Sequence, residues 1–229
     1  FRHMLQNNHD DHHNYLCDVY SGYSEIAANN KDGWIEQSID KEDIKFESKK
    51  NTKQAFPYNK YHCTSWNVNQ ACSIIICSEG VANKLDIPLD KRVYPLASSE
   101  NNHMISTLQR PNLIEPAGMQ LAAKFILDIC SKNNLVPNIY DLYSCFPVAI
   151  QMFAKSLNLN NIKDKTVTGA MPFAGGPLNS YVLHSTAKLI EKLRENNGIG
   201  IVTGVSGMMT KQSYALWSKN KEIDFIHKD

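Results

Sequence analysis

The sequence lacks paired cysteines and an excess of charge of either sign. Its six cysteines are spread irregularly, with no CxxC pair, and most of them lie inside apolar segments. Lys and Arg number 24 against 23 Asp and Glu. The cysteine pattern argues against a disulfide framework and indicates reduced thiols in an intracellular protein, cytoplasmic or organellar. The balanced charge argues against a nucleic-acid partner.

The sequence also lacks a long hydrophobic run. The longest apolar stretch, Ala71–Cys77, is far too short to cross a bilayer, and no charged and hydrophobic leader precedes it. We therefore expect no membrane span. Because the first residue is Phe1 rather than Met, we expect the chain to be part of a longer protein, from which a targeting signal would be missing.

The chain divides into two regions that differ in their pattern of apolar residues. Residues 1–54 are predicted to be an irregular and helical excursion, with a helix at about 11–28 and a polar, lid-like stretch at 30–53. Residues 55–229 alternate short apolar runs with helical periods, which predicts a layered α/β fold. The predicted strands are 73–77, 92–96, 138–143, 198–203 and an edge strand at 213–217, and the predicted helices are 79–85, 115–132, 147–157 and 180–195.

The turn at Ser144-Cys145-Phe146-Pro147 is the first candidate for chemistry. It lies between a predicted strand and a predicted helix, where α/β folds place active sites. A thiol just before a helix N-terminus lies in a positive potential, which predicts a lowered pKa. The alternative is that Cys145 is one more buried core cysteine, and location alone gives the two readings even weight.

A glycine-containing loop at 168–181 is the second candidate. Gly175 and Gly176 would let the backbone approach a ligand, and Asn179 or Ser180 could cap the helix that carries His184. A tight structural turn is the alternative, and turn statistics favour it for this pattern alone. Spacing does not decide whether the histidine faces a pocket or the core.

A third candidate lies where the strand at 198–203 runs into a second glycine-containing turn. The turn contains Ser206 and Gly207, whose small side chains and exposed amides could form an oxyanion-binding wall. Hairpin turns rich in Gly and Ser are common, so the pattern alone is weak.

Taken together in this order, the three segments resemble the thiolase superfamily. The similarity is greatest to thiolase-like acetyl-CoA acetyltransferases of the sterol-carrier-protein thiolase branch. Tyr143-Ser144-Cys145-Phe146 stands where that branch has an HDCF motif, and Gly175-Gly176-Pro177 resembles the GHP motif. Thr203–Gly207 resembles the terminal CxG loop without its cysteine. The resemblance extends from about residue 56 to 217 and implies the C-terminal half of a thiolase-like fold, a mixed β-sheet covered by helices.

The resemblance also implies roles for individual residues. Cys145 would donate and accept a proton, and Ser65, in the segment 63–71, would contact the pantetheine arm of coenzyme A. Gly176 replaces the GHP histidine that polarises the thioester oxygen, which leaves Asn179 or His184 as replacements. Gly175, Ser206 and Gly207 would complete the substrate-binding set.

The activity implied by the resemblance is that of an acetyl-CoA acetyltransferase, catalysing Claisen condensation or thiolytic cleavage. The acylated cysteine would lie upstream of this chain, so the fragment alone could be inactive. The substrate would be an acyl-CoA thioester, with no further cofactor, and the protein would form a homodimer or tetramer. The missing histidine and terminal cysteine leave a second hypothesis open, a catalytically degenerate protein of thiolase fold that binds acyl-CoA or lipid.

The segment His9-Asp10-Asp11-His12-His13 could bind a divalent metal, because histidines and carboxylates suit zinc or nickel. A solvated helix start explains the same residues, and the sequence offers no further ligand pattern. We therefore expect no metal.

Overall fold

The computed structural model describes residues 6–229. The helices are α1 (His9–Ala28), α2 (Lys41–Lys45), α3 (Glu79–Lys84), α4 (Ala117–Lys132), α5 (Pro147–Ser156), α6 (Met171–Ala174) and α7 (Tyr181–Glu195). The strands are β1 (Lys53–Ala55), β2 (Tyr58–Asn59), β3 (Tyr94–Asn102), β4 (Ile139–Asp141), β5 (Ile199–Ser206), β6 (Lys211–Ser218) and β7 (Ile226–Lys228). Single 3-10 turns lie at Lys60–His62, Leu89–Lys91 and Thr107–Gln109.

A five-stranded mixed sheet organises the chain, with strand order β4-β5-β6-β3-β7. The pairs β4–β5 and β3–β7 are parallel, and β6 is antiparallel to both of its neighbours. Strands β1 and β2 form a separate two-stranded antiparallel sheet. The predicted α/β class, with a mixed sheet and covering helices, is confirmed.

Helices cover both faces of this sheet. Successive residues of a strand point to opposite faces, and Ile201 and Val202 of β5 accordingly belong to different apolar clusters. Val202 packs with Leu189 and Leu193 of α7, whereas Ile201 belongs to the large core that includes the apolar side of α4. None of the helices within residues 6–229 is long and apolar enough to cross a membrane.

Helix α1 forms part of that large core. Asn8 caps its N-terminus by accepting a hydrogen bond from the Asp11 amide at 2.8 Å. The buried face of the helix presents Leu16, Cys17, Val19, Tyr20, Tyr23 and Ala27. The helix predicted at 11–28 is therefore observed, and it shares its core with elements beyond residue 55. The division of the chain into regions at 54/55 stays a prediction, and residues 1–5 lie outside the described part.

The polar stretch 30–53 is held in place by a few specific contacts. Asn51 is fully buried, and its side-chain amide donates to the carbonyls of Asp43, Ile44 and Phe46 at the end of α2. The amides of Trp34 and Ile35 donate to carbonyls of α6 at 3.1 Å. These bonds satisfy the backbone of a segment that has little regular structure of its own.

Two predicted strands differ from the structure. Residues 73–77 form no strand, and Ile75 and Ile76 are 91% and 86% exposed. A strand needs a hydrogen-bonded neighbour, and no segment within residues 6–229 pairs with this one. The strand predicted at 213–217 exists as β6 but is central rather than an edge, because β3 and β5 pair with its two sides.

Candidate functional site

Cys145 lies in the turn between β4 and α5, past the carboxyl end of a parallel strand. Its side chain is half-buried, and its carbonyl oxygen accepts hydrogen bonds from the Thr64 amide at 3.2 Å and the Thr64 hydroxyl at 3.3 Å. Pro147 occupies the first turn of α5, where the missing amide proton costs nothing. The predicted position between a strand and a helix is therefore observed.

The pKa predicted for this thiol is wrong in direction. Burial raises the pKa of Cys145 to about 11, although the backbone amide of Phe146 opposes that rise. The first amides of a helix stabilise a thiolate by less than burial in low-polarity surroundings destabilises it. Cys145 is therefore a protonated thiol at neutral pH.

The first glycine turn packs against the Cys145 turn through the segment that contains Ser65. The Ser65 amide donates to the Met171 carbonyl at 3.1 Å, and the Gly176 amide donates to the Ser65 carbonyl at 2.8 Å. A Cβ on Gly176 would lie 2.4 Å from Cγ2 of Thr64, the same residue that holds the Cys145 carbonyl. Ser65, Gly176 and Cys145 are thus brought together, and the amide of Gly176 is already committed to Ser65.

Gly175 and His184 line a common cavity of about 300 Å³. Gly175 adopts φ +96°, which favours glycine, and a Cβ there would lie 2.3 Å from Oε1 of Gln70. The Gln70 amide group donates to the carbonyls of Ala174 at 2.8 Å and Asp32 at 2.9 Å. The glycine turn is therefore fixed by its neighbours on the cavity side as well as on the Cys145 side.

Of the two candidates for the missing histidine's role, His184 is the one that lines the cavity. Its ring is half-buried, and among the described residues Nε2 has no hydrogen-bond partner although it is shielded from solvent. Burial lowers the pKa of His184, and the nearby Asp32 carboxylate opposes that change. Asn179 is exposed, with φ +64°. The predicted side-chain cap is not observed either, because Ser180 is the cap residue and its side chain makes no capping bond.

Ser206 is the last residue of β5, the parallel neighbour of β4, and Gly207 follows it. Both are exposed, and Gly207 adopts φ +61° in the turn into β6. Their turn borders a separate cavity of about 150 Å³ lined by His103, Arg110, Thr210 and others. The carboxyl ends of parallel strands meet at one edge of a sheet, so this turn and the Cys145 turn leave the sheet at the same edge.

A buried carboxylate beneath the site was not singled out from the sequence. Asp141, the last residue of β4, is fully buried and accepts six hydrogen bonds of 2.7–3.0 Å. The donors are the hydroxyls of Thr166, Thr168, Tyr181 and Ser185 and the amides of Val167 and Thr168. An aspartate inside the apolar strand Ile139-Tyr140-Asp141-Leu142-Tyr143 was the available clue, because a charge at a core position needs several partners.

The hydroxyl of Tyr181 extends this network towards the turn. It lies 3.4 Å from the hydroxyl of Ser144, whose oxygen in turn accepts from the Met171 amide at 2.9 Å. Burial raises the pKa of Tyr181 well above its usual value, so the phenol stays protonated. The turn that carries Cys145, the glycine turn and α7 are thereby joined by one set of hydrogen bonds.

A buried lysine forms one wall of the cavity beside His184. The Lys188 ammonium pairs with Asp32 at 2.8 Å and with Glu191 at 2.7 Å. Burial lowers the pKa of Lys188, but hydrogen bonds to the two carboxylates outweigh that effect and the net shift is upward. Neither of the two cavities described above is lined by Cys145.

Comparison with solved structures relates this architecture to thiolases. A monomeric SCP2-thiolase-like protein type 1 from Mycobacterium smegmatis superimposes with a TM-score of 0.78 at 21% identity, over 96% of this chain and 48% of that one. The dimeric peroxisomal thiolase of Saccharomyces cerevisiae superimposes with a TM-score of 0.59 at 14% identity, over 96% of this chain and 57% of that one.

No protein-family model and no curated protein matches the sequence. The chain spans about half the length of the first of these thiolase structures. Five mixed strands, helices on both faces and the agreement over 96% of the chain nevertheless define the architecture. The chain has the fold of the thiolase superfamily.

Proposed function

We propose that this chain forms the acid/base side of a thiolase-like acetyl-CoA acetyltransferase, with the acylated cysteine upstream of residue 1. The observation that carries the proposal is the position of Cys145. Its thiol is half-buried past the carboxyl end of β4, and Thr64 connects its turn to Gly176. The activity, substrate and partners of the whole protein belong to this proposal, because the chain spans about half of a related structure.

In the cleavage direction, Cys145 acts first as an acid. The upstream thiolate attacks the ketone carbon of a 3-ketoacyl-CoA, the Cα–Cβ bond breaks, and its electron pair passes to the α-carbon of the departing acetyl-CoA enolate. Cys145 gives its proton to that carbon and becomes a thiolate. It then accepts the thiol proton of an incoming coenzyme A, whose sulfur attacks the acyl-enzyme and restores the upstream cysteine.

In this proposal His184 supplies the group that holds the thioester oxygen, which requires the cavity beside His184 to open towards the Cys145 turn, because Cys145 does not line that cavity. A neutral imidazole donates a hydrogen bond from the nitrogen that carries its proton, and Nε2 of His184 has no partner among the described residues. Gly175 lines the same cavity, but the space beside its Cα is filled by Gln70, so no ligand contact is assigned to it. The amide of Gly176 is bonded to Ser65 and is therefore not assigned to the oxyanion.

Replacement of Cys145 by Ala tests the proposal in the full-length protein. We expect thiolysis of acetoacetyl-CoA to fall by about 10²–10⁴-fold, the usual contribution of a positioned acid/base group. Cys130→Ser is the matched control, because burial raises the pKa of that thiol to about 11 as well but it lies on α4. An unchanged rate in the Cys145 variant would contradict the assignment.

A second function, acyl-CoA binding without chemistry, is favoured by one feature. Gly176 stands where the resembling enzymes have a histidine, and its amide is committed within the chain. This alternative predicts saturable binding of acetyl-CoA in calorimetry and no exchange of its α-protons in deuterated water. Detectable exchange that disappears with Cys145→Ala would exclude the alternative and support the enzyme.

Assembly and location complete the proposal. The six cysteines are all free, which supports an intracellular location, cytoplasmic or organellar. The mycobacterial protein is monomeric and the yeast thiolase is dimeric, so a homodimer or tetramer of this protein stays a prediction. Light scattering of the full-length protein would measure its mass in solution.

A further inference from the structure

Two histidines and a cysteine, residue types that can bind metals, lie close together on and beside α1, outside the site described above. His13 and Cys17 are four residues apart on α1 and therefore share one helix face, and His62 ends the 3-10 turn Lys60–His62. Cys17 and His62 are fully buried, and His13 is half-buried. The ligand atoms of the three residues all lie within 4.8 Å of one another.

The two nitrogen–sulfur distances match an edge of a zinc tetrahedron. Zinc bonds of about 2.0–2.1 Å to nitrogen and 2.3 Å to sulfur require an N···S edge of about 3.6 Å. The Cys17 sulfur lies 3.7 Å from Nε2 of His13 and 3.7 Å from Nε2 of His62. We propose that His13, Cys17 and His62 form a binding site for a borderline-soft divalent cation such as Zn²⁺.

The end of α2 offers a fourth position. The carbonyl oxygen of Lys45 lies 3.4 Å from Nε2 of His13, which is also about the N···O edge expected in a zinc tetrahedron. This oxygen or a water molecule would complete the coordination. Neutral imidazole and thiolate are ligands that Zn²⁺ favours, whereas Mg²⁺ and Ca²⁺ favour oxygen, so the donor set selects the class of cation.

In the absence of a metal, hydrogen bonds that link His62, Cys17 and His13 account for the same nitrogen–sulfur distances. The Asn59 amide donates to Nδ1 of His62 at 3.4 Å, which leaves the imidazole proton on Nε2, facing the sulfur. Cation binding would release the thiol proton of Cys17 to solvent and transfer the His62 proton from Nε2 to Nδ1. One proton would therefore leave per cation, and the long bond from Asn59 would be lost, at some cost in affinity.

A cation at this position would connect three segments of the chain. His13 and Cys17 belong to α1, Lys45 ends α2, and His62 precedes the Cys63–Ser65 segment that leads to the Cys145 turn. Binding would therefore stabilise the packing of residues 9–62, because the unfolded chain does not hold the ligands together.

Cobalt titration of the 229-residue chain, after removal of metals by a chelator and under reducing conditions, tests the site. We expect one equivalent of Co²⁺ with a thiolate-to-cobalt charge-transfer band in the near ultraviolet. The band should disappear in Cys17→Ser and persist in Cys130→Ser, a buried cysteine on another helix. His13→Gln should weaken binding by about tenfold or more, since loss of even an outer partner costs 10–100-fold.

His9 and Asp10, which pair at 3.0 Å on the surface at the start of α1, provide the control for surface binding of Co²⁺. A double variant, His9→Gln with Asp10→Asn, should leave the charge-transfer band and its stoichiometry unchanged. The proposal is overturned if wild-type protein shows no such band, or if the band survives Cys17→Ser. Co²⁺ binding without a thiolate band that is lost in the double variant would likewise overturn it. His13→Gln, at a half-exposed position, keeps the test available if Cys17→Ser does not fold.

Discussion

Replacement of Asp141 by Asn should destabilise the protein more than any isosteric change of a surface carboxylate. The side chain is fully buried, and its six hydrogen-bond donors are all neutral groups. One carboxylate oxygen receives the hydroxyls of Tyr181 and Ser185, at 3.0 and 2.7 Å. The other receives two threonine hydroxyls and two backbone amides.

The size of this destabilisation depends on which of the six hydrogen bonds an asparagine at position 141 can keep. Its amide nitrogen would face Tyr181 and Ser185, because hydroxyls can rotate to accept, whereas the backbone amides of Val167 and Thr168 can only donate. The four bonds to the remaining oxygen would lose the assistance of the negative charge, about 1 kcal/mol each. The neutral amide is cheaper to bury, which offsets part of that loss. We expect the free energy of unfolding to fall by about 2–3 kcal/mol.

Urea unfolding at pH 7, followed by circular dichroism and tryptophan fluorescence, measures this loss. Asp128→Asn is the control, because that carboxylate is exposed and pairs with Lys124, one turn earlier on the same helix. We expect the control to unfold at nearly the wild-type midpoint, since exposed ion pairs contribute little. Equal midpoints for the two variants would refute the reasoning that the network holds the end of β4, the 166–168 segment and α7 together.

Two further changes test the packing and the acid response. Gly176→Ala should lower the free energy of unfolding by about 1–3 kcal/mol, because the new Cβ would lie 2.4 Å from Thr64 and 2.8 Å from Met171. The control is Gly22→Ala on α1, where a Cβ meets nothing within 4 Å and the change should be neutral or stabilising. Thermal unfolding would compare the pair, and a tolerated Gly176→Ala would contradict the close contact. Burial, and to a smaller extent repulsion from His13, lowers the pKa of His62 from 6.5 to about 4. As the pH falls from 6.5 to 4, the unfolded state therefore takes up a proton that the folded state does not. The free energy of unfolding should fall by about 3 kcal/mol in total over that range. Unfolding from pH 7 to pH 4 with chelator present should show a smaller loss in His62→Gln, and identical slopes for the two proteins would contradict this assignment.

The positions of most elements were predictable because local periodicity and turn chemistry determine them. The predicted helix at 115–132 corresponds to α4 at Ala117–Lys132, and the predicted helix at 180–195 corresponds to α7 at Tyr181–Glu195. Periodicity does not show which segments pair with each other in a sheet, and the predictions that depended on strand pairing were wrong. The run at 73–77 has the composition of a buried strand, but pairing is a property of other segments, which lie far away in the sequence.

The residues of the candidate site were predictable only in part, for a related reason. Cys145 and the glycines stand in short motifs next to element boundaries, which a sequence displays directly. Asp141 and the Thr166–Thr168 segment acquire their role from contacts across 25 or more residues, and those contacts depend on the folded chain. Spacing could not tell that His184 lines a cavity, because that depends on which side of α7 faces it.

The pKa of Cys145 determines whether the thiol acts first as an acid or as a base in the proposed reaction. Favourable interaction with a helix N-terminus is worth about 0.3–1 kcal/mol, less than one pKa unit, and burial outweighs it here. With a pKa of about 11, roughly one thiol in 10⁴ is ionised at pH 7, so solvent rarely removes the proton. The thiolate must then arise by proton transfer to the enolate carbon in the preceding step. A thiolate formed in this way is a stronger base than an unperturbed one, so the same burial that retains the proton at rest favours its recovery from coenzyme A.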